Sequence, residues 1–464
     1  MKTGIALGAG LLCLILASGA CAHELNAADL TGASLATLSA DLASHRVTSQ
    51  QLVAAYEERI KRLNPEIHAV IALNPRAVAE ARASDARCTA DRALGPLDGL
   101  PILVKDNIDI AGLATTAGSL ALLKNVRRVN ATMIRNLRRA GVVILGRANL
   151  SEWANFRSGH FVSGWSAVGG LTRNPYMLDR TACGSSSGPA AAVAAGMAAA
   201  AIGTETDGSI SCPSSMNGVV GLKPTVGLVS RTGIVPISHT QDTAGPMTRT
   251  VRDAAMLLTA MVVTDPLDPA TIDANAHRAN YVAVLNPRAL EGVRLGVARF
   301  LLKSFTPKTL AVFARALALL TEFKADLNAY LADSPSAVKT RTLRELIAFD
   351  KTHPREMTWF GQGLFIQAER TKGLPDPAYL KARATNLRLA VPDGIDRLLK
   401  EHRVEALISP TQNPAAVIDQ VNGDAGIGPG DSSLPAIAGY PYITVPMGEV
   451  QGLPVGLSFI GPKW

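Results

Sequence analysis

Gly99-Leu-Pro-Ile-Leu-Val-Lys-Asp-Asn107 is a short apolar run opened by a turn signal, Asp98-Gly99, and closed by a lysine. A run of this length between turn signals reads as a strand buried on both faces. Downstream, Thr132 to Ala140 has helical spacing, and Gly141 leads into a second strand, Val142-Val-Ile-Leu145. This strand–helix–strand rhythm predicts an α/β layer architecture. Upstream, Leu38 to Leu63 carries apolar residues at helical spacing and stops before Pro65. Near the other end, Ala406-Leu-Ile-Ser409, Tyr442-Ile-Thr-Val445 and Gly456-Leu-Ser-Phe459 supply further strands. The helical segments between Leu310 and Glu401 read as an inserted cover on one side.

The first residues stand apart from this pattern. Lys2 gives a positive start, Ile5 to Ala17 is an unbroken run of apolar and small residues, and Ala20-Cys21-Ala22 offers an A-x-A cleavage site. Residues 1–22 therefore read as a signal peptide, with the mature chain starting near His23 in a secreted or periplasmic setting. The run is shorter than the about 20 apolar residues a membrane span needs. Cys21 also allows a lipid-modified cysteine, but Ser18 stands where that signal wants leucine.

The 464 residues would suggest about three domains at about 150 residues each. No Gly/Ser linker, charged tail or repeat marks a boundary, so residues 23–464 are expected to form one domain. At 47% hydrophobic and 18% charged, the chain has the composition of a globular enzyme. The net charge of +8 comes from scattered pairs such as Arg127-Arg128 and Arg138-Arg139, with no RNA-binding motif and no interleaved aromatics. A solvated basic surface is expected, and no nucleic-acid partner. Beyond the signal only Cys88, Cys183 and Cys212 remain, without C-x-x-C or zinc-type Cys/His spacing, so no metal is expected. Buried thiols are the preferred reading. Cys183 and Cys212 flank two serines of interest, which leaves a bridge between them open.

From Gly164 to Gly245 the chain is rich in Gly and Ser and low in charge, interrupted by one Ala-rich helix expected from Pro189 to about Ala201 with Ser187 or Gly188 as its cap. Long loops of this kind inside a packed domain are usually functional. Gly184-Ser-Ser-Ser-Gly188 satisfies G-x-S-x-G, a nucleophile elbow with Ser186 as nucleophile. That motif needs a preceding strand, and Met177 to Ala182 makes a poor one. Histidines follow at His239, His277, His353 and His402, none in a recognisable context.

A stronger signal is an ordered constellation. Lys105 ends its strand, Ser185 and Ser186 follow, then Gly203-Thr-Glu-Thr-Asp-Gly-Ser-Ile210, then Gly218-Val-Val-Gly-Leu-Lys-Pro-Thr225. Together these resemble the amidase signature family from about Leu38 to the end of the chain. The 24-residue interval between Ser185 and Ser209 matches the spacing of that family's two catalytic serines. The resemblance implies an α/β fold: a single large domain with a mixed, mostly central β-sheet covered by helices on both faces. It implies that Ser209 attacks an amide carbonyl, and that Ser185, after a cis peptide bond, passes the proton to Lys105. The backbone N–H groups of Thr206, Asp207, Gly208 and Ser209 would form the oxyanion hole, and Ser186 would be a supporting hydrogen-bond partner. Lys105 must then be neutral, which requires burial to bring its pKa from about 10.4 to about 7–8. No cofactor is implied.

Several positions depart from the family pattern. Cys183 and Ser187 stand where glycine is usual, Asp207 replaces a glycine, and Ser211 stands where many members carry arginine, leaving Glu205 without its usual partner. With Gly221-Leu-Lys-Pro-Thr-Val-Gly-Leu-Val-Ser230, these variants are most similar to the family's peptide amidases, which remove a C-terminal amide from peptides. The expected substrate is thus a small-molecule or peptide amide, with no obligate protein partner. A general aliphatic or aryl amidase is the alternative, as is a periplasmic binding protein of the same fold. A transamidase subunit would need partner chains and a cytosolic address. Relative to the family, about 30 residues are expected to be absent around Leu320, and the usual helix beyond Trp464 as well.

Overall fold

A computed structural model describes residues 27–298, 322–427 and 430–464. The expected signal peptide and the expected shortening around Leu320 lie outside the described residues. The strands are, in chain order, β1 (Val70–Leu73), β2 (Pro101–Lys105), β3 (Val143–Ala148), β4 (Trp165–Ser166), β5 (Gly170–Leu171), β6 (Ala200–Glu205), β7 (Val220–Lys223), β8 (Thr243–Thr248), β9 (Leu295–Val297), β10 (Ala406–Pro410), β11 (Tyr442–Val450) and β12 (Leu453–Ile460). β4 and β5 pair only with each other, and the other ten form one mixed sheet in the order β1-β3-β2-β6-β8-β7-β11-β12-β10-β9. The α/β reading with a single large mixed sheet holds.

β2 lies between β3 and β6 and runs parallel to both, whereas β6 pairs antiparallel with β8. Every residue of β2, β3 and β6 is buried, as expected of parallel strands covered on both faces. Lys105 and Glu205 are the last residues of β2 and β6, so the parallel topology places both at the same, carboxyl edge of the sheet. That is where open α/β sheets carry their crevices.

The helix Ser187–Ala194 packs on this part of the sheet, with Ser187 through Val193 all buried. It is shorter than the sequence suggests. Gly196 takes a left-handed φ of +71°, and Ala200 and Ala201 enter β6 instead of continuing the helix. Alanine's helical preference is weak beside a site at the centre of a sheet. The long upstream pattern likewise divides into the helices Leu35–Ala43 and Ser49–Ile67, the second opened by a capping box at Thr48 and Gln51. Pro65 lies inside the last turn of that helix and does not stop it.

The cover includes the helices Leu343–Thr352, Gly363–Glu369, Pro377–Ala390 and Asp396–His402. Phe323, Leu327, Leu343 and Phe365 join Trp153, Val235 and Ile237 of the body in one apolar cluster. A fully buried guanidinium, Arg157, pairs with Glu152 on its own segment and with Glu356 of the cover. Removing one partner of such a buried set costs about 3–5 kcal/mol. The cover is therefore pinned to the segment that forms one wall of the site described next.

Candidate active site

Lys105 is fully buried, and its Nζ has three oxygen neighbours: Ser185 Oγ at 2.8 Å, Thr204 Oγ1 at 2.9 Å and Thr204 O at 3.3 Å. Burial pulls its pKa from 10.5 down to about 7, against the opposing pull of the Glu205 and Asp242 charges. A neutral amine has two N–H bonds and one lone pair. Thr204 offers two acceptors for the N–H bonds, which leaves the lone pair for the Ser185 hydroxyl. The arrangement can therefore take a proton from Ser185.

Ser185 follows a cis Gly184–Ser185 peptide bond and is fully buried. Ser186 donates its hydroxyl to Thr204 O at 3.0 Å and accepts Thr204 N–H at 3.3 Å, fixing the backbone of the residue that anchors Lys105. It is fully buried, and Met177 to Ala182 form no strand, so the elbow reading has neither its strand nor an accessible Ser186.

Ser209 lines a cavity of about 440 Å³ together with Thr206, Asp207 and Gly208. This volume is within the range of small-ligand pockets, about 300–1,000 Å³. Ser185 and Ser209 also share a smaller cleft with Thr204, Thr206 and Asp242. Gly208 has φ +81°, and a β-carbon there would stand 3.0 Å from Ser432 Oγ, so the turn into Ser209 favours glycine on two counts. Asp207 points its carboxylate at the Ser432 and Ser433 hydroxyls, at 2.7 and 3.1 Å. Thr206 to Ser209 thus line the larger cavity, Ser185 and Ser209 meet in the smaller cleft, and Lys105 and Ser186 lie buried against Ser185 and Thr204 without lining either.

Three findings go beyond the sequence reading. Glu205 does not lack partners: its Oε2 accepts the N–H groups of Ile210 (2.7 Å) and Ser211 (2.9 Å), holding the turn that carries Ser209 into the helix Ser211–Met216. Cys183 and Cys212 form a disulfide, not free thiols, because the fold brings their Cα atoms to 6.0 Å. Asp242 accepts the Thr206 hydroxyl at 2.6 Å and the N–H groups of Ile237 (2.8 Å) and Ser238 (2.9 Å). Thr204, Asn107, which donates to Thr204 Oγ1 at 3.0 Å, and Asp242 were all missed.

Other features lie elsewhere. A cavity of about 530 Å³ around Arg231, His239 and Gly439 is larger, but neither serine lines it. His239 there sits 3.0 Å from Asp326, a hydrogen bond that raises its pKa. Among the described residues, no group of three His, Cys, Asp or Glu side chains could hold a metal ion, and no helix is long and apolar enough to cross a membrane.

Likeness to known proteins makes this chain an amide-bond hydrolase. The chain belongs to the amidase family, whose model, described as Amidase, matches residues 51–464. It is similar to the native peptide amidase of Stenotrophomonas maltophilia, with a TM-score of 0.87, 46% identity and 93% of each chain covered. The same identity, with a TM-score of 0.88 over 93% of this chain and 94% of the other, relates it to the peptide amidase in complex with the competitive inhibitor chymostatin. A probable amidase of Arabidopsis thaliana is 39% identical over 451 residues, 90% of this chain and 84% of the relative.

Proposed function

We propose that this chain removes the C-terminal amide from peptides through an acyl-enzyme on Ser209. The observation that carries this reading is a buried lysine of lowered pKa, 2.8 Å from a serine that shares a cleft with a second serine. Ser209 attacks the carboxamide carbonyl while its proton moves to Ser185, and Ser185 yields its own proton to Lys105. The negative oxygen of the tetrahedral intermediate is held by the N–H groups of residues 206–209, a contribution that is usually the largest in acyl transfer. Lys105 returns the proton to the departing ammonia, and water releases the acid by the reverse relay. The likeness to a peptide amidase supports the choice of substrate.

The test has two arms. Ammonia release is measured on peptide amides, simple aliphatic amides and aryl amides, together with cleavage of internal peptide bonds. Preference for peptide amides with internal bonds intact is expected; equal turnover of simple amides would replace the reading by a general amidase. In the second arm a fluorophosphonate adduct is mapped by mass spectrometry. Modification is expected on Ser209, and an adduct on Ser186 would refute the mechanism.

We also infer export across a membrane. The signal-like residues 1–22 support this, and so does a disulfide, since such bonds persist chiefly in oxidising compartments. A secreted or periplasmic product beginning near His23 is expected; an uncleaved cytosolic chain would overturn it.

A further inference from the structure

During turnover Lys105 must carry a positive charge in a place where it has no exposure to solvent. Its three hydrogen-bonding neighbours, Ser185 Oγ and the two oxygens of Thr204, are all neutral. A buried cation of that kind is costly unless a carboxylate stands near it. Two carboxylates reach it from neighbouring elements. Glu205 ends β6, and Asp242 immediately precedes β8, whose Thr243 pairs with Glu205 in the antiparallel ladder.

The two are not equivalent. The Glu205 charge bears more strongly on Lys105, but Glu205 uses one oxygen to hold the Ile210 and Ser211 N–H groups, and the buried Lys223 also feels its charge. Asp242 lines the cleft that Ser185, Thr204 and Ser209 also line, on the path of the proton. Its own bonds are to Thr206 Oγ1, Ile237 N and Ser238 N, none of them a charged partner. The other cation whose charge reaches it, the Arg231 guanidinium, is already engaged by Asp268, through Nε at 2.9 Å and through Nη2.

We propose that Asp242 is, beside Glu205, a charge partner of Lys105, stabilising the ammonium that forms when Ser185 gives up its proton and at the same time fixing the oxyanion segment through Thr206. The inference rests on the mechanism proposed above. No bond is made or broken at Asp242: the proton travels from Ser209 to Ser185 to Lys105, and the carboxylate, its pKa raised by burial to about 6, is ionised above that pH. Asp242 acts through Lys105 and is a positioning residue.

The charge and the positioning role can be separated by two variants. In Asp242→Asn the amide oxygen can take the Ile237 and Ser238 N–H groups, and its NH2 can donate to the Thr206 hydroxyl, which accepts as readily as it donates. The hydrogen bonds are kept and only the charge goes. In Thr206→Val the charge is kept and one hydrogen bond goes. The pH profile of kcat/KM is measured for both, beside wild type and Lys105→Ala. Asp242→Asn is expected to lower kcat/KM at its optimum about tenfold and to move the acid limb down by about one pH unit, the effect of losing one nearby opposite charge. Thr206→Val is expected to lower kcat and leave the limb in place. An unmoved limb in Asp242→Asn would overturn the proposal. Full activity in Lys105→Ala would instead overturn the mechanism on which it rests, so the two failures are distinguishable.

Discussion

Replacing Lys105 by methionine should abolish activity and, at the same time, remove a pH dependence of stability. In the native chain burial lowers the Lys105 pKa from 10.5 to about 7, while in the unfolded chain it returns to the ordinary value. Between about pH 7 and 10.5 the unfolded state therefore binds a proton that the native state does not, and stability must rise with pH across that window. The penalty is about 4 kcal/mol at pH 7 and about 1 kcal/mol at pH 9.5, so wild type should gain about 3 kcal/mol from this residue between the two. Methionine has similar length and no charge, so the variant should lack that gain. It also loses the contacts to Ser185 and Thr204, about 1 kcal/mol each, but this loss does not depend on pH. Lys223, buried and lowered to about 8, follows the same rule in both proteins and cancels. Urea denaturation of both proteins at pH 7 and 9.5 supplies the four free energies needed. Parallel gains in wild type and Lys105→Met would refute the idea that the native lysine is held neutral by burial.

Other consequences can be checked more briefly. His239→Ala should leave kcat/KM largely unchanged, because His239 lies in the other cavity beside Asp326; a loss comparable to that of Lys105→Ala would count against the lysine as base. Ser186→Ala should slow acylation by loosening the Thr204 backbone yet still give the adduct on Ser209, and loss of all labelling would show that Ser186 does more than support. A Cys183→Ser, Cys212→Ser chain should lose about 3.5 kcal/mol of stability for a loop closed across 29 positions, read from its urea midpoint; an unchanged midpoint would show that the bridge leaves the unfolded chain unrestrained.

The strand carrying Lys105 is legible because burial on both faces leaves an uninterrupted apolar run, and the serines because their interval is specific. Neighbouring strands are not. β6 and β8 read Ala-Ala-Ile-Gly-Thr-Glu and Thr-Ala-Gly-Pro-Met-Thr, with Ile202 the one bulky branched apolar residue among the small residues, Gly and Pro that weaken a strand signal. Close packing explains the small residues: a β-carbon on Gly245 would stand 1.9 Å from Leu222 O, and one on Gly203 would stand 2.9 Å from Ser186 Oγ. The same packing cuts short the predicted alanine helix. Thr204 and Asp242 carry no local mark of their role, since each gains it only when β6 pairs with β8. The disulfide is likewise a tertiary fact, because spacing alone cannot tell two buried thiols from a bridge.

The bridge between Cys183 and Cys212 has a topological result. It closes a covalent ring that contains Ser185, the helix Ser187–Ala194, β6 and Ser209, while Lys105 enters from outside it. A single backbone cut anywhere within that ring leaves every atom of it attached to the rest of the molecule. A chain cleaved once within this segment would therefore run as one species on a non-reducing gel and as two fragments once reduced. Neither serine can be shed by one cleavage inside the ring.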